Sequence, residues 1–387
     1  MNELNMGVNL LGVLHNIDRA QRGVSSTQGF LYKHLNNMGA VEAIVDCQLS
    51  EFQKKSRLIK NVSMDKNVWA LNSGFDVTAR KMRSANINAT TIPDKNFNAV
   101  LQIGSEFSTV NVTKLLSVPK FSYHDDNVFR YFKSRQSDLN SAQIDRLSTK
   151  YRIAFEYEKE VYDGLDAIFC ISESLRNVFI EDFLQPESKV HAIGYGANID
   201  INLSDCVEKD YGKKVILIIA KDSFREKGGE SLLKALPLIR KEYSDARLVV
   251  IGQEEKQKVD GVEWAGYLDK NNPADMKRFK EIMSSTTLYV MPSFVEAAGG
   301  SFLEAMSYGI PCIGARQGAT IEIIEGNDSG VLVDDNDHRV LAEKIIALFD
   351  SERELQRLGA NARTAIKEKY NWQKVCNKAL AVMKTFI

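Results

Sequence analysis

Short apolar runs alternate with stretches of helical periodicity along this chain, and the series starts twice, on either side of the polar segment ANIDINLSDCVEKDYGKK. Parallel strands need a crossover to reach one another, and a helix supplies it, so such alternation prescribes βαβ units and parallel sheets. In the first series, strands are expected at Gly7–Leu14, Ala43–Asp46, Asn67–Leu71, Ala99–Ile103, Lys120–His124, Ala167–Ser172 and Lys189–Gly194. Helical periodicity runs over Thr27–Met38, Asp145–Tyr162 and Leu175–Phe183. The second series begins with an expected strand at Val215–Ala220 and continues through helical and apolar segments to the C-terminus. The expected class is α/β: two Rossmann-like, doubly wound domains facing a central cleft. Residues 1–205 form the first domain, 206–370 the second, and 371–387 a last helix with the option of crossing back to the first.

A length of 387 residues suits two such domains rather than one core. The net charge of −1, from 50 basic and 51 acidic residues, argues against a bulk electrostatic partner, so no nucleic acid is expected. The five cysteines are scattered, odd in number and without a CxxC pair, which fits a reducing compartment better than a disulfide framework. The opening MNELNMGVNLLGVL lacks a basic leader and reads as a first strand rather than a signal peptide. No apolar stretch approaches the ~20 residues that span a bilayer. A cytoplasmic location is the expectation. No His, Cys and Asp group has metal-ligand spacing, so neither a metal nor a resident cofactor is expected.

Open parallel sheets bind ligands beyond the C-terminal ends of their strands. The segment MPSFVEAAGGSFLEAMSYGIPCIG is the most informative in that respect. A strand ends near Met291–Ser293, a loop carries Glu296, and Gly299–Gly300 precede a helix opening near Ser301. Glycines admit a ligand close to the backbone. The N–H groups of Gly300, Ser301 and Phe302 are expected to be free at the helix end, where hydrogen bonding and the helix dipole favour a phosphate. Glu304 reads as a first-turn residue whose carboxylate leans back toward a polyol beside that phosphate.

The stretch resembles the E-x7-E motif of retaining glycosyltransferases with the GT-B fold, the group 1 or family 4 type. Gly318-Ala319-Thr320-Ile321-Glu322, Gly330-Val331-Leu332-Val333 and Tyr370-Asn371-Trp372 extend the likeness. It is strong in the second half and weaker in the first. The resemblance implies that Glu296 contacts a donor sugar and that Glu304 grips the ribose of a nucleoside diphosphate sugar. It also implies two cations on the diphosphate. Lys221 and Lys227 have the family's separation in IIAKDSFREKGGESLLKA, with lysine where the family usually has arginine and Arg225 nearby to take that role. Lysine is a point charge and lacks the bidentate fork of guanidinium.

In the first half, Gly23 matches the family's glycine-rich loop near the phosphates, although the usual paired glycines are missing. His124 resembles the strand-end histidine that faces the donor sugar, and His15 is a weaker candidate. Gly266-Tyr267 match the pair that lines the nucleobase. Lys54, Lys55, Arg57 and Lys60, with Arg80, Lys81 and Arg83, read by default as solvated faces. The sharper alternative is a peripheral contact with the inner membrane face, serving a lipid-linked acceptor.

The implied activity is transfer of a hexose-type sugar to a glycan or lipid-linked acceptor, as in surface polysaccharide synthesis. A dehydrogenase would need a GxGxxG turn after a first strand, and none is present. A catalytically silent glycosyltransferase-like subunit is the remaining rival; Lys221 favours it and the Glu296/Glu304 pair opposes it.

Overall fold

The computed structural model describes residues 7–15, 27–92, 96–136, 139–199, 209–221, 224–255, 258–293 and 299–387. The chain divides into two compact units, Met1–Gly194 with Trp372–Ile387, and Tyr195–Asn371.

The first unit runs β1 (Leu10–Leu14), α1 (Thr27–Asn37), β2 (Val41–Asp46), α2 (Glu51–Asn61), α3 (Lys66–Gly74), α4 (Val77–Ala89), β3 (Ala99–Ile103), β4 (Lys120–His124), α5 (Val128–Arg135), α6 (Ser141–Asp163), β5 (Ala167–Cys170), α7 (Glu173–Glu181) and β6 (Val190–Ala192). Its strands pair in parallel in the order β2-β1-β3-β4-β5-β6. The inner strands LLGVL, AVLQI, KFSYH and AIFC are buried at every residue, as expected for strands covered on both faces, whereas the edge strand β2 is only partly covered. Gly12 is dictated by packing: a Cβ there would lie 2.5 Å from the ring of Tyr32, whose hydroxyl donates to the Leu101 carbonyl at 2.7 Å.

The second unit runs β7 (Val215–Ile219), α8 (Gly229–Glu242), β8 (Arg247–Ile251), β9 (Val262–Gly266), α9 (Pro273–Ser285), β10 (Leu288–Met291), α10 (Gly300–Ser307), β11 (Cys312–Ala315), α11 (Ala319–Ile324), β12 (Gly330–Val333), α12 (His338–Phe349) and α13 (Glu352–Glu368). Its order is β12-β11-β10-β7-β8-β9, again parallel. Ile216, Ile218, Leu248 and Val250 meet Leu232, Leu236 and Ile239 of α8 and Leu341 and Ile345 of α12 in one apolar core. The last helix, α14 (Trp372–Met383), belongs to the first unit, where Cys376 lies against the Leu31 carbonyl and Phe386 meets Phe121 edge-on. Tyr195 and Ala197 already belong to the second unit: the Tyr195 hydroxyl lies close beside Gly300, and the Ala197 N–H donates to the Tyr370 carbonyl.

One expected strand is corrected. Asn67–Leu71 lies in helix α3, because Asp65 caps the N–H groups of Asn67 and Val68 and the helix then buries Val68, Leu71 and Asn72 on one face. The periodicity did not reveal helices α4 and α5: α4 buries Arg80 beside Ala79 and Ile87, and the short α5 buries only Val128 and Phe132, the latter against Phe75 and Tyr151. Arg57 and Arg80 are also corrected from solvated to bonded. Arg57 makes a two-point pair with Asp76 at 2.7 Å, and buried Arg80 meets Glu158 at 2.8 Å. Glu158 further accepts from Ser105, from the Val128 N–H and from Tyr162, so one carboxylate ties the end of β3 to α4, α5 and α6. Burial alone would lower the pKa of Arg80; the charge and hydrogen bond of Glu158 outweigh it and raise it.

His124 ends β4 with its side chain fully buried, edge-on to Tyr162 and Phe179, and its Nε2 is 2.7 Å from the Ser122 hydroxyl. Burial pushes its pKa down to about 3. The unfolded chain therefore binds a proton near pH 6.5 that the folded chain refuses, so stability falls as pH drops from about 6.5 toward 3. Replacing His124 with Phe should remove about 2 kcal/mol of the stability lost between pH 6.5 and 5. Urea unfolding at the two pH values measures this, and identical acid losses in both proteins would contradict it.

Candidate active site

In the second unit the strand order reverses between β7 and β10, the point at which a crevice opens beyond the strand ends. The two following loops are packed together there. Gly228, in the left-handed region at φ 78°, is where a Cβ would come within 2.7 Å of the Pro292 carbonyl oxygen, and the Ser293 hydroxyl donates to the Glu226 carbonyl at 3.3 Å. Lys227 folds back so that its ammonium reaches the Ile219 carbonyl at the end of β7. Helices α8 and α10 both open from left-handed glycines, Gly228 and Gly299. Two helix amino ends and Lys227 thus stand at the switch point, an arrangement that favours an anion.

The other expected residues gather beside them. Lys221 lies two residues past the end of β7 and sits 4.2 Å above the ring of Tyr267, which is half exposed. Gly252 makes this possible, since a Cβ there would lie 2.7 Å from the Lys221 backbone. Gly266 adopts φ 67° and its carbonyl accepts from the Gly252 N–H at 2.7 Å. Glu304 is buried, and its carboxylate pairs with Lys270 of the loop after β9. Lys270 in turn lies 4.7 Å above the Phe279 ring. Two details differ from expectation. The helix begins at Gly300, so Glu304 is its fifth residue and not a first-turn acid. The Phe302 N–H is not free, because it donates to the Gly299 carbonyl at 3.0 Å, which leaves Gly300 and Ser301 to offer theirs. Ser301 is the second residue of α10, its hydroxyl facing the Met291 sulfur, and Arg225 lies in the loop after β7 with its side chain exposed.

Glu296 and Gly23 lie outside the described residues. His124 is corrected: the last residue of a fully covered strand points into the aromatic core, so it cannot face a sugar. Its neighbours do face a cavity. At the β1/β3 reversal of the first unit, a cavity of about 470 Å³ is lined by His15, Glu106, Asp125, Asp126, Asn127 and Tyr131, among others. His15 Nε2 meets Glu106 at 3.0 Å. Burial would raise the Glu106 pKa, but the bond and charge of His15 with the charges of Arg83 and Arg80 hold it down at about 2. Burial pushes Asp126 the other way, up to about 6 against the charge of Arg130. The Asn127 side chain accepts the Arg130 N–H as a helix cap, while its buried amide nitrogen has no hydrogen-bond partner.

Sequence reasoning missed Lys270, Asp126, Asn127 and Glu158. Glu158 alone carried a signal, a carboxylate spaced with Ala154, Tyr157 and Val161 on the buried face of α6. Among the described residues no group of His, Cys, Asp or Glu is placed to hold a metal ion.

Two parallel-sheet Rossmann-like units define the GT-B fold. Thermosynechococcus elongatus sucrose-phosphate synthase superposes with a TM-score of 0.65 at 13% identity, covering 98% of this chain and 99% of that one. HepE of Anabaena, solved with UDP and glucose, gives 0.62 at 12% identity over 98% and 100%. In sequence, residues 204–365, most of the second unit, match the model of the family Glycosyl transferases group 1. CapM, a capsular polysaccharide biosynthesis glycosyltransferase of Staphylococcus aureus, is 23% identical over 62% of this chain, a match spanning 66% of CapM itself. Matches to the next relatives span 17% and 49% of their lengths.

Gly228→Ala should destabilise the second unit by about 2 kcal/mol or more, from left-handed strain plus the clash with Pro292. Denaturant unfolding of the full chain reads this; a neutral result would mean that the two loops are not packed as described.

Proposed function

We propose that the protein is a retaining glycosyltransferase that moves a hexose-type sugar from a nucleoside diphosphate sugar to a glycan or lipid-linked acceptor without a metal ion. One observation carries the reading: Lys227, two helix amino ends and the Glu304–Lys270 pair surround a single reversal in a parallel sheet. The family match covers this site, and the name of CapM and the HepE complex with UDP and glucose support the substrate class.

In this reading the α10 amino end, Lys221 and Lys227 hold the diphosphate. Glu304 takes the ribose hydroxyls, with Lys270 fixing its carboxylate, and Tyr267 and Gly266 line the base. Glu296 and Ser301 complete the donor side. The bond from the anomeric carbon to the phosphate oxygen breaks, and its electron pair leaves with the diphosphate. The acceptor oxygen bonds to that carbon on the same face, and its proton passes to the departing phosphate. Preplaced cations stabilise the developing charge. The first-unit cavity takes the acceptor, since carboxylates beside an open amide donor and the Tyr131 ring suit hydroxyls on an uncharged sugar.

A thermal-shift panel of UDP, GDP, ADP, CMP and their sugars should show one nucleoside diphosphate that stabilises the protein. Lys227→Ala should then lower turnover by ~10²–10³ while the fold melts unchanged. Nucleotide binding without turnover on any acceptor would instead establish the silent subunit. Asp126→Asn should raise the acceptor KM about tenfold, roughly the loss of one charge-assisted hydrogen bond, and leave nucleotide binding intact. An unchanged KM would place the acceptor elsewhere.

A further inference from the structure

Helix α2 is turned inside out relative to an ordinary surface helix. Its contacts with the body of the unit are polar: Arg57 pairs with Asp76 through two bonds at 2.7 Å, the Asn61 amide donates to Asp76 at 2.5 Å, and the Asn61 carbonyl accepts from Asn72. Its apolar side chains point to solvent. Phe52 is 83% exposed and Ile59 73%, with Leu58 exposed beside them. The turn that follows adds Val62 at 65% and Met64 fully exposed. Phe52, Lys55 and Ile59 recur at the spacing that puts them on one face of the helix, and Val62 follows at its end.

This geometry is not a loose end of the fold. Ser50 and Gln53 close the helix with a reciprocal capping box, Asp76 anchors its inner side, and Asp65 starts the next helix directly after the turn. Of the large apolar residues exposed among the described residues, the densest group lies between 52 and 64. A soluble surface rarely collects such side chains in one patch without a use for it.

The charges around the patch select the occupant. Lys54, Lys55, Lys60 and Lys66 are exposed on and beside the helix. Of the acids on α2 itself there is only Glu51, which Lys54 engages at 2.8 Å. Apolar side chains pointing outward among lysines match an interface made of acyl chains beneath anionic headgroups. Neither a polar crevice ligand nor a buried core partner would call for that ring of ammonium groups.

We infer that α2 and the turn after it form a docking surface for an anionic phospholipid bilayer, with Phe52, Ile59, Val62 and Met64 entering the acyl boundary and the lysines lying on the headgroups. The inference narrows the proposed acceptor to one presented at a membrane, and to that extent it rests on the glycosyltransferase reading; the docking itself does not.

Flotation of the full-length protein with vesicles tests it, using phosphatidylcholine alone and phosphatidylcholine with 30% phosphatidylglycerol. The wild type should float with the anionic vesicles, weakly or not at all with the neutral ones, and less as salt rises. The pair Phe52→Ser with Ile59→Ser should lower partitioning about tenfold or more, and Lys55→Gln with Lys60→Gln should lower it and flatten the salt dependence. All four positions are solvent-facing, so melting temperature and nucleotide-induced thermal shift should stay at wild-type values. Failure of the wild type to float with anionic vesicles at low salt overturns the inference, as does floating that the serine pair leaves unchanged. Concentration-dependent dimers that the serine pair converts to monomers would also overturn it, because the patch would then be a face between two copies. A nucleotide shift that persists while flotation fails leaves the enzymatic reading standing; flotation without any nucleotide shift does the reverse.

Discussion

Parallel pairing is the constraint from which the rest of this structure follows. It places the C-terminal end of every strand on one edge of its sheet, and where the order reverses the flanking helices leave on opposite faces. In the second unit that reversal falls between β7 and β10. The missing side chain of Gly228 then lets the two loops close on each other, with the carbonyl of Pro292 against the glycine backbone. Lys227 and the amino ends of α8 and α10 arrive at the same place because one edge of the sheet and two glycine turns leave them nowhere else to go. The pairing of Glu304 with Lys270 joins this centre to the loop after β9, and the stack of Lys221 on Tyr267 joins that same loop to the end of β7.

The first unit repeats the topology with a different electrostatic design. Its reversal holds carboxylates rather than ammonium groups, and a buried arginine is what keeps them in place. Arg80 donates to Glu158, Ser105 and Gly74, so the loop after β3 is tied to three helices through one guanidinium. Removing either partner of such a pair would leave a charge buried without compensation, a cost of about 3–5 kcal/mol. The acidic cavity is therefore bounded by a rigid floor, with Asp126 and Asn127 on the segment that follows His124.

Most of the architecture was legible from periodicity, because buried parallel strands such as VILII and LYVM are continuous apolar runs. Helix α3 was not, since NVWAL is short and apolar enough to read either way, and only the cap supplied by Asp65 decides for a helix. The donor-side candidates were legible because Lys221, Lys227, Gly299, Gly300 and Glu304 stand in two continuous segments. Lys270 was hidden, since nothing local to VEWAGYLDKNN says that its ammonium meets a carboxylate on α10. The His124 expectation failed for a related reason. Strand position suggested a side chain at the sheet's edge, but alternation across the sheet aims it at Tyr162 and Phe179.

The order of apolar runs, glycines and charged residues determined by itself that the chain builds two parallel sheets with an anion-friendly turn after a strand of the second, because those features act over a few neighbouring residues. Which carboxylates stand free, which arginines are locked and which face of α2 meets solvent were decided only in three dimensions. The balance between solvation and ion pairing at each of these groups depends on partners far away in sequence, such as Arg80 with Glu158 and Arg57 with Asp76.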